Sequence, residues 1–210
     1  MEKTLVQYQD QIDQCFNLFI QKGIRGVSID DIVRACNISK KEIYNIFGNK
    51  EGVVREVLQL DRRKTEELFC DCAQRSENAI EEMLMIHQKM MDRFSKLSPL
   101  LFFDLKKYHK SICDHQIEAK LEMKLQFIHA NLARGIKEEI YRNDIDVDIV
   151  AKLWASKMEM VREQRWFSLK EYDLTYITKQ FTDLHLRSIA NHKGRQIINA
   201  YFSSAQNQQE

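Results

Sequence analysis

The sequence is poor in the residues that interrupt helices. Its 210 residues include only one proline and six glycines, whereas a turn-rich β fold needs both residue types at many of its turns. No run of about 18 apolar residues occurs, so we expect no membrane span. The first residues also lack the apolar core of a secretory signal. The sequence therefore predicts an all-α, cytoplasmic protein.

Catalytic and metal-binding patterns are also missing. The five cysteines are odd in number and irregularly spaced, which does not suggest a disulfide framework. Cys70 and Cys72 are close together, but no further Cys or His lies near them to complete a zinc site. No nucleophile motif or phosphate-binding loop is present. We therefore predict a protein that is not an enzyme and uses no metal or cofactor, whereas turnover of a substrate would support a helical enzyme.

The total charge gives no indication of a nucleic-acid partner. The formal net charge is +1 at pH 7, and the first fifty residues carry seven basic and six acidic residues. A DNA-binding hypothesis must therefore depend on where the charges lie.

Apolar residues recur at helical spacing along nearly the whole chain. Ile12, Cys15 and Phe19 mark a first helix, which we expect to end at Lys22 and Gly23. Beyond residue 49 the predicted helices are longer, and one covers apolar residues from 117 to 140 and ends near residue 143. About nine or ten helices are expected. We predict a three-helix helix-turn-helix domain in residues 1–48 and a larger helical domain in residues 49–210.

Two short helices near the N-terminus each have their own start signal. Ser28 can cap the first, with Asp31 three residues on, and Ser39 can cap the second, with Glu42 three residues on. Between them, Asn37 tolerates the left-handed conformation that a tight turn needs. A helix, a turn of three or four residues and a second helix form the helix-turn-helix motif of DNA-binding proteins.

The second of these helices has a polar and an apolar face at about 100° per residue. Its polar face carries Lys40, Lys41, Tyr44 and Asn45. Asparagine can pair with adenine and lysine can reach guanine in the major groove, while the tyrosine hydroxyl suits a phosphate. For the two lysines alone, an ordinary solvated face is the alternative.

Lys50 lies in the first turn of the following helix, which Asn49 is expected to cap. A cation at this end opposes the helix macrodipole by a few tenths of a kcal/mol, so helix stability does not explain it. A DNA phosphate docked at this helix N-terminus would satisfy both the free amides and the lysine.

Residues 12–54 resemble the N-terminal domain of TetR-family regulators. The resemblance includes Phe16, Phe19, Gly23, segments 28–32 and 35–39, and an ending with Tyr44, Phe47, Lys50 and Glu51, which is its most specific part. The resemblance implies a three-helix DNA-binding domain, a larger helical ligand domain and a homodimer. It also implies repression of transcription from a double-stranded DNA operator, with release when a small apolar molecule binds.

The family's DNA-contacting positions can be placed on this sequence. They fall on Lys40, Lys41, Glu42, Tyr44, Asn45 and the phosphate-contacting Lys50, and the caps Ser28 and Ser39 complete the predicted set. Small residues are common in the family at positions 41 and 42, and glycine at position 37. Glu42 is better explained as a capping acid than as a base reader. The operator sequence, the effector and the regulated genes therefore do not follow from the resemblance.

The larger domain offers dimerisation and ligand binding. By the same resemblance, the two helices near residues 147–164 and 174–191 are candidates for a dimer interface. Candidates for a ligand pocket are methionine, aromatic and histidine side chains: Met83, His87, Met90, Phe94, Phe102, Phe103, Tyr108, Phe127 and Trp154. Ordinary core packing is the alternative for these residues. A helix-turn-helix regulator controlled by a protein partner, without a metabolite, is the alternative function.

Overall fold

The computed structural model describes residues 7–94, 99–163, 166–167 and 171–206. A few side chains inside helices, among them those of Phe94 and Phe102, lie outside the described residues. The helices are α1 (Gln9–Lys22), α2 (Ile29–Cys36), α3 (Lys40–Phe47), α4 (Lys50–Arg75), α5 (Ala79–Phe94), α6 (Pro99–Tyr108), α7 (Lys110–Lys137), α8 (Val147–Glu163), α9 (Leu174–Ile189) and α10 (His192–Gln206). The described residues contain no strand beyond one isolated β-bridge between Tyr141 and Ala190. The predicted all-α fold is confirmed.

The chain divides into two compact units. The first comprises Met1–Glu67 and Arg93–Lys120, and the second comprises Leu68–Asp92 and Leu121–Glu210. The predicted functional boundary between residues 48 and 49 stays a prediction.

The core of the first unit is built from the apolar faces of α1, α2 and α3. The predicted stripe of α1 is buried at Ile12, Cys15 and Phe19. Ile32 of α2 and Ile43 of α3 are fully buried in the same cluster, which also includes residues of α4 and α6. Burial of each such side chain contributes about 1.5–3 kcal/mol, so these contacts hold the three short helices together.

The second unit has its own apolar core, formed by residues of α5, α7, α8, α9 and α10. Helices α5, α8 and α9 of this unit each begin at a side-chain cap. Asp146 accepts a hydrogen bond from the backbone N–H of Ile149 at 3.0 Å, and Asp173 accepts one from Tyr176 at 2.8 Å. Asn78 caps α5 by accepting a hydrogen bond from the N–H of Glu81 at 3.0 Å, and the Glu81 carboxylate accepts one from the N–H of residue 77.

The predicted end of α7 near residue 143 is wrong, because the helix stops at Lys137. The backbone N–H groups of Ile140 and Tyr141 both bond to the carbonyl of Gly135 at 3.0 Å, which closes the helix. A side chain at Gly135 would collide with the ring of Tyr141. Ile140 is nevertheless buried in the core of the second unit, and for this reason the apolar spacing continues beyond the helix.

The last helix begins directly after a capping asparagine. Asn191 accepts a hydrogen bond from the N–H of Gly194 at 3.0 Å, so α10 starts at His192 and Gly194 lies inside its first turn. A side chain at Gly194 would meet the carbonyl oxygen of Ile140. Close approach of the backbone therefore explains this glycine better than a helix break does.

The described part of the chain contains neither a candidate membrane span nor a candidate metal cluster. None of its helices combines the length and apolar character needed to cross a lipid bilayer. Within the same residues, no group of three or more His, Cys, Asp or Glu side chains is arranged to hold a metal ion.

Candidate nucleic-acid interface

A complete capping box starts α2. The Ser28 hydroxyl accepts a hydrogen bond from the N–H of Asp31 at 3.1 Å, and the Asp31 carboxylate accepts one from the N–H of Ser28 at 2.8 Å. The same carboxylate contacts the Arg34 guanidinium at 2.7 Å. The Ser28 bonds and then Arg34 hold the pKa of Asp31 well below its usual range, so this group is ionised at neutral pH. The first helix of the motif therefore has the predicted start.

The turn between α2 and α3 depends on Asn37. Its backbone adopts φ 52° and ψ 40°, which is the left-handed conformation predicted from the sequence. Asparagine tolerates this conformation better than other residues with a side chain. The turn therefore reverses the chain at the position that the motif requires.

A second capping box starts α3. The Ser39 hydroxyl accepts a hydrogen bond from the N–H of Glu42 at 3.2 Å, and the Glu42 carboxylate accepts one from the N–H of Ser39 at 2.8 Å. These bonds lower the pKa of Glu42. The interpretation of Glu42 as a capping acid is confirmed, since its carboxylate is engaged by its own helix.

The predicted polar face of α3 is exposed, and its apolar face is buried. Ile43 and Phe47 lie in the core of the first unit. Tyr44 is 47% exposed, and Lys40, Lys41 and Asn45 are also exposed. The structure thus brings the two lysines, the phenol and the amide together on one accessible face of a single helix.

Lys40 has a partner within the protein. Its ammonium lies 3.0 Å from the carboxylate of Asp30 at the start of α2. Both side chains are exposed, so solvent screens the pair and it stabilises the fold little. The pair raises the pKa of Lys40, so the lysine is charged and can exchange this partner for a phosphate or a base.

Lys50 lies where the sequence placed it, in the first turn of α4. The Asn49 side chain accepts a hydrogen bond from the N–H of Gly52 at 2.9 Å, as expected for a cap. Lys50 is half-buried and makes no ion pair with another described residue. Burial lowers its pKa, while the more distant carboxylates of Asp104 and Asp31 raise it. An ammonium in this setting lacks a close anion.

The approach of α4 to the end of α3 is unusually close. A side chain at Gly52 would collide with the carbonyl oxygen of Phe47. Gly48, which ends α3, has a positive φ of 74°. Glycine is therefore required at position 52 for space and is favoured at position 48 for its backbone conformation. Together these residues set the position of the Lys50 helix terminus beside α3.

A contact between this region and α6 was not predicted from the sequence. The backbone N–H of Arg25 donates to the buried carboxylate of Asp104 at 2.8 Å, and its guanidinium donates to the Tyr108 hydroxyl at 3.0 Å. The sequence does contain a signal for this contact. Asp104 is an acidic residue on an otherwise apolar face of α6, and a buried carboxylate needs a hydrogen-bond partner.

Two of the predicted pocket residues are exposed in the structure. Phe103 is 54% exposed and Tyr108 is 41% exposed. Both belong to the first unit, where the ammonium of Lys107 lies 5.2 Å and 5.4 Å from the centres of their rings. In this structure both rings lie at the surface beside a lysine, and their predicted roles in a ligand pocket stay predictions.

The remaining described candidates belong to the second unit. Met83 and Trp154 are buried in its core, and His87, Met90 and Phe127 are half-buried. The rings of Phe127 and Phe69 are 4.7 Å apart. Phe94 and Phe102 have side chains outside the described residues, so their predicted roles stay predictions.

A set of buried polar residues in α9 was also not predicted from the sequence. Thr178, Thr182 and His185 are all buried, and the Thr182 hydroxyl lies 3.3 Å from Nδ1 of His87. Their spacing places them on one face of the helix. The available signal was this polar stripe next to Ile177, Leu186 and Ile189, which are buried in the same helix.

Comparison with known proteins gives consistent matches. A family model described as "Bacterial regulatory proteins, tetR family" matches residues 12–57. The HTH-type transcriptional repressor KstR2 of Rhodococcus jostii (strain RHA1) is 22% identical over 209 residues, covering 86% of this chain and 89% of that protein.

Solved structures share the fold over nearly the whole chain. A TetR-family transcriptional regulator from Cytophaga hutchinsonii has a TM-score of 0.67 at 20% identity and covers 88% of this chain and 94% of its own. A regulator from Saccharomonospora viridis in complex with choline has a TM-score of 0.68 at 16% identity, covering 89% of this chain and 98% of its own. These likenesses extend the match from the N-terminal helices to the all-helical fold of the remainder.

Proposed function

We propose that this chain, whose residues 12–57 match the tetR family model, is a TetR-family transcriptional repressor that leaves its operator when a small apolar molecule binds. The observation that carries the DNA-binding part is the exposed polar face of α3 opposite a buried apolar face. A related protein that is named a transcriptional repressor supports repression rather than activation. In this proposal residues 1–48 read DNA and residues 49–210 bind the effector and the second subunit.

Each residue of the α3 face has a proposed role. Asn45 pairs with an adenine edge, and Lys40 and Lys41 reach guanine or phosphate. Tyr44 donates its hydroxyl to a phosphate. Ser28, Ser39 and Glu42 cap the two helices and so hold this face in position.

Lys50 is proposed to bind a DNA phosphate at the N-terminus of α4. The half-buried ammonium without a close anion supports this role, because a phosphate would provide the missing charge. Free backbone N–H groups in the first turn add further donors to the same phosphate.

Exposed apolar residues on α8 and α9 support a homodimer. Between 37% and 60% of their surface is accessible; they are Ile149, Leu153, Met160, Tyr176 and Leu184. The three on α8 fall within about 40° of each other around the helix. Monomeric proteins rarely expose large contiguous apolar patches, and a twofold axis would bury this surface against its own copy.

Selection of DNA from a randomised library tests the DNA-binding part. The proposal expects an enriched short palindrome whose half-sites are about one helical turn apart, and an affinity that falls steeply with salt. A library without any enriched sequence would refute it.

The homodimer is tested by light scattering. The wild-type chain should have the mass of a dimer, and the double variant Leu153→Glu with Leu184→Glu should have the mass of a monomer.

Release by a small molecule is tested separately, on the selected operator. The solved regulator in complex with choline shows that a protein of this fold was obtained with a small molecule, which supports an effector for this chain. A metabolite panel is added to the protein–operator complex, and dissociation of DNA is measured by fluorescence anisotropy. If no compound releases the operator, control by a protein partner replaces this part of the proposal.

A further inference from the structure

The interior of the second unit contains polar groups that its apolar core does not need. Thr178 and Thr182 bond back to carbonyls of their own helix, at 2.8 Å to Leu174 and 2.9 Å to Thr178 respectively. These hydroxyls are therefore satisfied locally. The buried polar residues next to them are different.

Two side chains in this core carry polar atoms without a partner. Trp154 of α8 is 7% exposed and His185 of α9 is 2% exposed. Neither Nε1 of Trp154 nor Nε2 of His185 has a hydrogen-bond partner among the described residues. The two rings are neighbours, with centres 6.5 Å apart. A buried polar group that lacks a partner is costly, and native structures contain few of them.

The chemistry around these atoms selects the kind of group that could bind them. Indole N–H is a donor only, so a ligand must present an acceptor to Trp154. Burial, together with Lys157, lowers the pKa of His185 to about 3, so its ring is neutral at physiological pH. Burial and then Lys179 also lower the pKa of His87.

Buried apolar side chains share this core. Met83, Ala151 and Leu186 belong to the same buried cluster as Trp154. An anion would exchange its hydration for an indole and neutral imidazoles, which is unfavourable. A cation would meet a donor in Trp154, with Lys157 and Lys179 as the neighbouring charges. A neutral acceptor on an apolar body fits both the polar atoms and their setting.

We propose that Trp154 and His185 together bind the carbonyl or hydroxyl oxygen of a neutral, otherwise apolar ligand in the core of the second unit. This inference rests on the proposed ligand release and adds the ligand class and the residues that recognise it. Nε1 of Trp154 donates to the ligand oxygen. Nε2 of His185 donates to the same polar group or accepts from its hydroxyl, according to the tautomer of the ring.

The test uses three probes that share an apolar chain and differ in the polar end. Methyl octyl ketone, decanoate and decylamine are added to the full-length protein, and binding is measured by calorimetry and by the shift of the unfolding temperature. We expect the ketone to bind and to raise the unfolding temperature, and we expect decanoate and decylamine to bind much more weakly. Equal responses to all three probes would overturn the proposal.

Matched variants separate recognition from general packing. Trp154→Phe keeps an aromatic ring and removes the donor, so ketone affinity should fall about fivefold, the effect of one lost hydrogen bond. Tyr141→Phe is the control, because the Tyr141 hydroxyl donates to Asn131 at 3.1 Å in the same core. It should lower the unfolding temperature and leave ketone affinity unchanged. Wild-type ketone affinity in Trp154→Phe would contradict the assignment.

A second measurement leaves the core intact. The sequence has two tryptophans, so Trp166→Phe makes Trp154 the sole indole emitter. A hydrogen bond to the ketone should shift the Trp154 emission to longer wavelength. A buried water bound to the indole N–H would satisfy its hydrogen bond, but it would not make the three probes bind differently. If ketone binding leaves the Trp154 emission unchanged, the ketone binds elsewhere and the proposed site is refuted.

Failure of this inference is distinguishable from failure of the proposed function. Operator binding without ketone binding would reject the Trp154–His185 site and leave the DNA-binding regulator intact. Ketone binding that leaves the operator bound would support the site and reject release by this ligand class.

Discussion

The backbone N–H of Arg25 donates a 2.8 Å hydrogen bond to the carboxylate of Asp104. These residues are 79 positions apart in sequence but belong to the same compact unit. The bond joins the loop after α1 to α6, and Leu101 and Leu105 of α6 are buried in the same cluster as the helix-turn-helix core. Helix α6 is thus an integral part of the unit that presents the α3 face.

Replacement of Asp104 should destabilise this unit. In Asp104→Ala the Arg25 N–H loses its carboxylate acceptor, and we expect the free energy of unfolding to fall by about 1–3 kcal/mol. Urea denaturation followed by circular dichroism measures the change. Asp104→Asn keeps an acceptor oxygen and should lower the free energy of unfolding less. A larger loss of stability in Asp104→Asn than in Asp104→Ala would contradict the assigned role of the bond.

Asn37 should respond to substitution through its backbone conformation. Asn37→Gly should leave the unfolding temperature unchanged or raise it, because glycine adopts a φ of 52° without strain. Asn37→Ala should destabilise the protein by about 1 kcal/mol. Calorimetry compares the two variants, and Ile38→Val, at a neighbouring position, provides a control for small changes in packing. Equal stability of the Gly and Ala variants would show that the conformation is not limiting.

The second capping box should make stability depend on pH. The Ser39 bonds lower the folded-state pKa of Glu42, so its contribution is fully present above the unfolded pKa of about 4.3. The contribution is lost as pH falls through the folded pKa. Glu42→Gln keeps an acceptor for Ser39 but removes the titration, and its unfolding temperature should therefore fall less between about pH 5 and pH 3. Parallel acid profiles for both proteins would count against this account.

Lys50 and Asn45 should affect DNA binding in different ways. Lys50→Ala should weaken binding to all sequences about equally and reduce the salt slope by about one. Asn45→Ala should cost about 1–3 kcal/mol on the selected operator and relax the preference at one base pair. Gel shifts on the operator and on single-base variants measure both effects. Lys106→Ala in α6 is the lysine control, and the reverse pattern would exchange the two proposed roles.

Most of the candidate DNA-binding region follows from local sequence. Ser28, Asn37 and Ser39 act through hydrogen bonds and backbone conformations within three or four residues, so the sequence is sufficient to predict them. The exposure of Tyr44 and Asn45 follows from the helical period once Ile43 and Phe47 are assigned to the core. Even Lys50 could be identified, because its position conflicts with local helix preference.

Features that depend on distant contacts could not be predicted in this way. The end of α7 is set by the Tyr141 ring against Gly135, while Ile140 continues the apolar spacing beyond the helix. The exposure of Phe103 and Tyr108 depends on which face of α6 packs inward, and their aromatic character gives the opposite expectation. The polar atoms of Trp154 and His185 that lack a partner among the described residues could not be predicted, because they depend on how α8 and α9 pack together.

The two glycines between α3 and α4 bear on how such a protein could change its target during evolution. Both positions restrict substitution: glycine is favoured at position 48 because of its backbone angle and required at position 52 because a side chain has no space. Lys41, Tyr44 and Asn45 are exposed, and substitutions at surface positions of this kind usually change stability by less than about 0.5 kcal/mol. If the α3 face contacts DNA as proposed, mutations there can change the preferred operator at little cost to folding, while Gly48 and Gly52 keep the position of the helices constant.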